Sequence, residues 1–461
     1  MTLQEYVDSI RKKSICVIGI GVSNEPLLDL LLSSGCDVTA CDKRTEEEMG
    51  EEAASLRAKG AKLKLGPDYL EDLTYDVIFR TPGLMPFDAH LEKAKAQGAV
   101  LTSEMEVFFQ VCPCPVIAVT GSDGKTTTTT IISELLKEAG FTVHLGGNIG
   151  HPLLCETPSM RPEDLAVLEL SSFQLHSMPC APAVSVITNI SPNHLDKHKD
   201  FEDYVDAKKS IYKLQDEGDL LVLNAEDART PEFAAEAKAQ KSFFSLEREV
   251  ERGVYRAGGS LWRADKDGQK TEIMPCDAIR LPGVHNVMNY MAAFAATEGR
   301  VSDDVCRHVA ETFAGVEHRL ETVRVLRGVT YINDSIGTSP TRTIAGLHAL
   351  KTKPIILVGG YDKHIPFDSL GDALCEYTKA VVATGATADG ILDAMRASEL
   401  FPDCGVPVTK IEEFDAAVHA AAEMAQEGDI VLLSPACAAF DAFKNFAERG
   451  RHFKKLVMEL Q

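Results

Sequence analysis

The chain has no apolar run approaching the ~20 residues that a membrane-spanning helix needs, and its opening stretch, Met1 to Lys13, is polar and mixed in charge. Neither a signal peptide nor a membrane anchor is expected. Basic residues are in short supply: 47 Lys and Arg stand against 69 Asp and Glu, a net charge of −22. Affinity for a phosphate backbone rests on the opposite balance, which excludes a nucleic-acid partner. Any anionic ligand must then be held locally, by a few cations, backbone amides and metal ions. The same acidity suits a soluble protein that keeps apart from other macromolecules, and a monomer is expected. The 12 cysteines are scattered singly, many within apolar runs (Cys16, Cys41, Cys306). Cys112-Pro113-Cys114 is too tightly spaced for a zinc knuckle or a CxxC redox motif. Reduced thiols in a cytoplasmic protein are the expectation. No internal repeat or low-complexity tract occurs.

What is present is 461 residues, 45% hydrophobic and 25% charged, enough for about three domains at ~150 residues each. Three blocks emerge, each opening with a buried-strand pattern followed by helix signals. The first runs from a strand at Ile15–Gly19 through a helix near Glu25–Ser33 to a strand at Asp37–Cys41, an alternation that reads as a parallel sheet with helices packed on it. A second strand, Val116–Val119, leads into a helix that begins with the run Thr127–Thr130. It carries Ile131, Ile132, Leu135, Leu136 and Ala139 on one face. Apolar runs recur at Ala166–Leu170, Val184–Ile190 and Leu220–Leu223. From Lys241 to Leu281, short alternating runs around Trp262 predict a few antiparallel strands in or beside the central sheet. Strands at Thr330–Asn333, Pro354–Val358, Ala380–Thr384 and Asp429–Leu433 make a third α/β block. The expected architecture is α/β in three domains: a Rossmann-like one over 1–105, a central P-loop ATPase-like one with a mainly parallel sheet over 106–316, and a second Rossmann-like one over 317–461.

Thr120-Gly121-Ser122-Asp123-Gly124-Lys125-Thr126-Thr127 lies between the second strand and its helix. Glycines let the backbone fold around a phosphate with amide N–H groups inward, the helix N-terminus adds positive potential, and Lys125 adds a full charge. Thr126 would place a hydroxyl on magnesium. The general P-loop pattern wants glycine six positions before the lysine, where this chain has Val119. A plain Gly-rich turn capping a helix is the competing account. In the first block, Gly19-x-Gly21-x-x-Asn24 with Asp42 nearly spells a dinucleotide-binding fingerprint, yet its third glycine is absent.

Further motifs follow in order: Gly146-Gly-Asn-Ile-Gly150, Glu169-Leu-Ser-Ser-Phe-Gln174, Asn189-Ile-Ser-Pro-Asn-His194-Leu-Asp196, Ala207-Lys208 opening a helical stretch, and Gly283-Val-His-Asn286-Val-Met-Asn289. Glu317-His-Arg319, Ile332-Asn-Asp334-Ser335, Gly359-Gly-Tyr-Asp-Lys363 and the closing Ser434-Pro-Ala…Phe446 complete the series. With the short phosphate loop, this series resembles the Mur ligase family over nearly the whole chain, and within it the D-glutamate-adding branch. The resemblance implies an ATP-dependent ligase that joins D-glutamate to UDP-N-acetylmuramoyl-L-alanine through an acyl phosphate, in peptidoglycan precursor synthesis, with two Mg2+ ions. It implies that Glu169 binds one magnesium, that His194 contacts a second metal and the acyl-phosphate region, and that Lys208 is carbamylated. Asn286 and Asn289 are similar to adenine contacts, Arg319 to a phosphate contact, and Asp334 to a ribose or amine contact. Asp42, Lys43, Arg44, the loop Thr81-Pro82-Gly83, Ser23 and Asn148 are implied at the UDP substrate. Thr338, Lys363 and the helix start near Phe440 to Phe446 are implied at D-glutamate.

Two departures stand out: Ala439 where the family commonly has serine, and Ile336-Gly337-Thr338 where it has Lys-Ala-Thr. His194, Asp196 and His198 also suggest zinc, but the oxygen-rich surroundings favour magnesium. A NAD-dependent oxidoreductase, a non-catalytic P-loop switch and a sibling Mur-type or folylpolyglutamate-type ligase using another amino acid remain as alternatives.

Overall fold

A computed structural model describes the chain except for residues 22, 179, 194–196, 351 and 363–364. The chain divides into two compact units, Met1–Phe313 and Ala314–Gln461.

The first unit holds two sheets. One is built from β1 (Ser14–Ile18), β2 (Asp37–Asp42), β3 (Lys62–Leu65), β4 (Val77–Phe79) and β5 (Val100–Thr102), in the order β3-β2-β1-β4-β5 with every pair parallel. Ile15, Cys16 and Val17 of β1 are fully buried, as both-face coverage of a parallel sheet by crossover helices requires. The chain leaves β1 for β2 on one side and reaches β4 on the other, which opens a crevice at the carboxyl ends of β1 and β4.

The larger sheet contains β6 (Val116–Thr120), β7 (Val143–Gly147), β8 (Leu165–Glu169), β9 (Val184–Ile187), β10 (Leu220–Asn224), β11 (Gln240–Ser245), β12 (Gly253–Ala257), β13 (Ser260–Ala264) and β14 (Lys270–Pro275). Their order is β14-β13-β12-β11-β10-β9-β6-β8-β7. The expectation of antiparallel strands after Lys241 holds for β12-β13-β14 but not for β11, which pairs parallel to both β10 and β12. Residues 246–252 carry the chain back alongside β11, with Phe243 N donating to Arg252 O at 2.9 Å. Alternating sequence marks a strand without fixing its direction. One apolar cluster runs from Leu3 through Phe79 and Phe108 to Leu168 and Phe233, joining the two sheets. On the opposite face of the larger sheet, Ile131, Ile132, Leu135 and Leu136 of helix Lys125–Glu138 pack with Tyr290–Ala296 of helix Val284–Ala296. Ala207 and Lys208 do not open a helix: they close Phe201–Lys209, which starts earlier because the Asp200 side chain accepts from Asp203 N and caps it.

The second unit orders its strands β15 (Glu321–Leu326), β16 (Val329–Asn333), β20 (Ile430–Leu433), β17 (Ile355–Val358), β18 (Ala380–Ala383) and β19 (Val408–Lys410). Among the described residues of this sheet, β15 alone is antiparallel to its neighbour.

Candidate active site

β6 ends at Thr120 and the helix begins at Lys125, so Gly121–Gly124 form the turn. Gly121 has φ +146°, and a Cβ there would stand 1.9 Å from Thr188 Oγ1. Gly124 has φ +76°, and its Cβ would meet Asn289 Oδ1 at 2.4 Å. Both the left-handed backbone and the close approach therefore demand glycine. The turn is shaped by its own bonds. Ser122 N donates to Asn189 O (2.9 Å), Asp123 N to Asn189 Oδ1 (2.9 Å), Thr188 Oγ1 to Asp123 O (2.6 Å) and Lys125 Nζ to Ser122 O (2.8 Å). Thr126 and Thr127, half-buried, occupy the first helical turn. Asn289 lies against Gly124 and donates to Asn286 Oδ1 at 3.3 Å. Residues 286 and 289 thus join the phosphate loop although more than 160 residues separate them from it in sequence.

β8 neighbours β6, which brings Glu169 beside this loop. Its Oε1 accepts from Asn148 Nδ2 at 2.7 Å, while Oε2 is buried with no hydrogen-bond partner among the described residues. A desolvated carboxylate oxygen without a donor is unfavourable, and a hard cation that takes oxygen ligands suits it. Lys208 is enclosed beneath the loop. Its Nζ donates to Gly121 O at 2.7 Å, approaches Thr120 Oγ1 at 3.4 Å and sits 4.6 Å over the Tyr204 ring. Burial, reinforced by the Lys125 charge, holds its pKa well below that of an ordinary lysine, although Glu169 acts the other way. His194 and Asp196 lie outside the described residues. The described member of that motif, His198, bonds to Asp203 and Ser172.

In the crevice of the smaller sheet, a Cβ on Gly19 (φ +85°) would come within 2.9 Å of Thr81 Cβ, so the β1 and β4 loops touch there. Asn24 stands where the fingerprint wants its third glycine, and its Nδ2 donates to Ile18 O (3.1 Å) and Gly19 O (3.0 Å). Asp42 accepts from Ile20 N (2.8 Å), Arg44 N (2.9 Å) and Arg44 Nε (3.1 Å). Burial acts to raise its pKa, but the Arg44 and Ile20 hydrogen bonds outweigh it and hold the carboxyl below the usual range. Lys43 is exposed.

A cavity of about 230 Å3 gathers Ser23, Pro82 and Asn148 with Arg80, Glu104 and Gln174. Arg80 and Glu104 escaped the sequence reading. Buried Arg80 donates through Nη2 to Phe173 O (3.1 Å) and Ser177 Oγ (2.6 Å). Glu104 Oε1 accepts from Leu154 N (3.1 Å), and burial pushes its pKa up to about 7. No local pattern reveals either residue, because the partners lie 50 to 97 positions away.

In the second unit, Asp334 follows β16. Its Oδ2 accepts from Ser434 Oγ (2.7 Å) and its Oδ1 from Leu320 N (3.2 Å), and burial raises its pKa to about 6. Ala436 N donates to Gly337 O (2.8 Å), which sets the closing segment against the turn that carries Thr338. Arg449, also missed, is buried and donates to Ser335 O, Cys437 O and Ala438 O (3.0 Å each), bracing both loops. Arg319 is exposed. Phe440 meets Tyr361 edge-on at 5.8 Å, and Phe446 starts the last helix with its ring edge-on to His318 at 6.1 Å. Lys363 lies outside the described residues. Ala439 is buried, and Ile336 donates through its backbone N to His318 O.

The Mur ligase middle domain matches residues 119–297, and the Mur ligase glutamate ligase domain matches residues 318–437. Over 460 residues the chain is 46% identical to the UDP-N-acetylmuramoylalanine--D-glutamate ligase of Clostridium novyi, covering 100% of this chain and 99% of that one. The chain belongs to the Mur ligase family. The ligase of the same name from Acetivibrio thermocellus is 47% identical over 463 residues, again 100% and 99% of the two chains. A solved UDP-N-acetylmuramate-alanine ligase from Thermotoga maritima shares the fold, with TM-score 0.54, 18% identity, 97% of this chain and 99% of that chain. As a Mur ligase the chain is an ATP-dependent, amide-bond-forming enzyme, which sets aside the oxidoreductase and the non-catalytic switch. The phosphate loop, Glu169, Lys208 and Asn289 all fall in the Mur ligase middle domain. Arg319, Asp334 and Thr338 fall in the glutamate ligase domain. Among the described residues no helix is long and apolar enough to cross a membrane.

Proposed function

We propose that this Mur ligase joins D-glutamate to UDP-N-acetylmuramoyl-L-alanine through an acyl phosphate. The observation that carries the reading is the buried Glu169 Oε2, unpartnered among the described residues, beside a phosphate loop and a buried, charge-disfavoured Lys208. Relatives of that name, 46–47% identical along their full length, support the choice of substrates.

A carboxylate is too poor an electrophile for an amine at neutral pH, so it is first phosphorylated. Its oxygen bonds to the γ-phosphorus of ATP as the bond to ADP breaks. The amine then attacks the acyl carbon, phosphate leaves, and the amine gives up a proton. The backbone amides that open helix Lys125–Glu138 and the Lys125 side chain hold the phosphates, and Asn286 and Asn289 face the base. Two magnesium ions, held by Thr126, Glu169 and His194, would supply positive charge between the γ-phosphate and the attacking carboxylate. The neutral Lys208 amine is the form that can combine with CO2, releasing a proton and leaving a carbamate whose oxygens suit magnesium. Arg319 and Asp334 would serve ATP phosphates and ribose. Ser23, Asp42, Lys43, Arg44, Thr81, Pro82, Gly83 and Asn148 would serve the UDP substrate, and Thr338, Lys363, Phe440 and Phe446 D-glutamate. In this reading residues 1–105, 106–316 and 317–461 are the UDP-substrate, ATP and amino-acid domains of a cytoplasmic monomer.

The test is phosphate release from ATP with magnesium, UDP-N-acetylmuramoyl-L-alanine and a panel of amino acids. D-glutamate should exceed L-glutamate and D-aspartate by about 100-fold or more, because a charged partner left unpaired in the site is costly. Preference for meso-diaminopimelate or L-alanine would overturn the substrate assignment.

A further inference from the structure

Asp203 gathers segments that no motif connects. In the first turn of helix Phe201–Lys209, its Oδ1 accepts from His176 Nε2 (2.8 Å), and its Oδ2 accepts from His198 Nδ1 (2.9 Å) and Lys199 N (3.3 Å). His198 is buried, stacked on Phe173 at 5.5 Å and met edge-on by Tyr204 at 5.2 Å. Burial lowers its pKa, so the ring carries one proton at neutral pH. With that proton on Nδ1 for Asp203, Nε2 must accept, and the Ser172 hydroxyl at 3.0 Å is placed to donate. The ligand atoms of His176, His198 and Asp203 lie within 4.8 Å of one another. Hydrogen bonds already engage each of them.

Every arm of this cluster leads to the candidate site. Helix Ser172–Leu175 and His176 follow Glu169 almost directly, and His198 is tied to that helix through Ser172. Helix Phe201–Lys209 presents Tyr204 and Lys208 four residues apart, on one face. The Tyr204 hydroxyl donates to Ser122 Oγ of the phosphate loop at 2.8 Å. Ser122 Oγ in turn donates to Ser191 O (2.9 Å) and accepts from Ser191 N (2.8 Å), while Lys208 holds Gly121 O. Phe87, in the loop after β4, packs on His176 at 5.3 Å.

We propose that Asp203 is a positioning residue: through His176 and His198 it fixes the segments bearing Glu169 and Lys208 against the phosphate loop, so that turnover depends on it and capture of the UDP substrate does not. The inference rests on the ligase reading above. Removing a partner that orients metal-binding or reacting groups commonly costs about 10- to 100-fold in rate.

The experiment compares full-length wild type, Asp203→Ala and Asp203→Asn in the D-glutamate-dependent phosphate-release assay, with KM measured for each substrate. Asp203→Ala should lose about 10- to 100-fold in kcat with the UDP-substrate KM within about threefold of wild type. Asp203→Asn keeps one acceptor oxygen and should recover part of the loss. If Asp203→Ala is insoluble, His198→Asn, whose amide can still reach Asp203 but cannot fill the stack, decides by the same criterion. A kcat within twofold of wild type, or a UDP-substrate KM that rises in step with the fall in kcat, overturns the proposal. A wild type inactive with D-glutamate would sink the ligase reading instead.

Discussion

Replacing Glu104 with Gln should stabilise the protein at pH 8 and change little at pH 5. Glu104 is buried, lines the cavity beside Arg80, and has its pKa pushed from 4.5 to about 7 by burial. Between those two values the unfolded chain releases the proton that the folded chain keeps. Stability is therefore full below pH 4.5, falls as pH rises, and levels off above 7. A displacement of that size corresponds to about 3 kcal/mol at pH 8 and under about 1 kcal/mol at pH 5. Gln keeps an oxygen for Leu154 N, the partner of Glu104 Oε1 at 3.1 Å, and cannot ionise, so it removes the penalty without removing the bond. The assay is urea unfolding of both proteins at pH 5 and pH 8. The single tryptophan, Trp262 in β13, reports the Met1–Phe313 unit by fluorescence. Asp334, raised to about 6 in the other unit, contributes equally to both proteins and cancels. A stability difference that is the same at both pH values would refute the reasoning, since Glu104 would then be ionised throughout.

Gly121→Ala should cost at least about 100-fold in turnover, because its Cβ would stand 1.9 Å from Thr188 Oγ1 at a φ of +146°; phosphate release checks this. Lys125→Ala should abolish turnover while titration calorimetry finds UDP-substrate affinity nearly unchanged, as Lys125 sits in the phosphate loop and is not among the residues proposed for the UDP substrate. Lys208→Ala should lose most activity and regain part of it with added formate or acetate, whereas Lys208→Arg should stay inactive. Near-normal turnover in the Arg variant would rule out the carbamate.

The sequence made some parts of this protein legible and hid others for physical reasons. The phosphate loop could be read because glycine, lysine and threonine act within eight consecutive positions, and the strand before them is uniformly apolar. The place of Glu169 at a strand end was legible for a similar reason, as the last residue of a buried run. The Ala207-Lys208 pair was placed at the wrong end of its helix, since the capping Asp200 gives a weaker signal than the apolar pattern that follows. Arg80, Glu104, Arg449 and Asp203 were invisible. Each is an ordinary charged residue locally, and each acquires meaning only when folding brings its partner from a distant segment, as with Arg80 and Ser177, 97 positions apart. Asn24 was seen as a missing glycine; the structure shows an amide that closes over the β1 carbonyls. His194 and Lys363 lie outside the described residues, and their roles rest on the family's chemistry.

The strand order of the second unit bears on how the chain is made. β20, the last strand of this sheet in chain order, sits between β16 and β17, bonded on both sides in parallel register. Until Ile430–Leu433 have emerged from the ribosome, β16 and β17 cannot be joined, and both present open edges of the kind that recruit other chains. Folding of Ala314–Gln461 must therefore wait for Ile430–Leu433. A chain that stops after Lys410 but before Ile430 would lack the middle of this sheet and leave two unsupported halves, a product marked for aggregation or degradation even though Met1–Phe313 has been made.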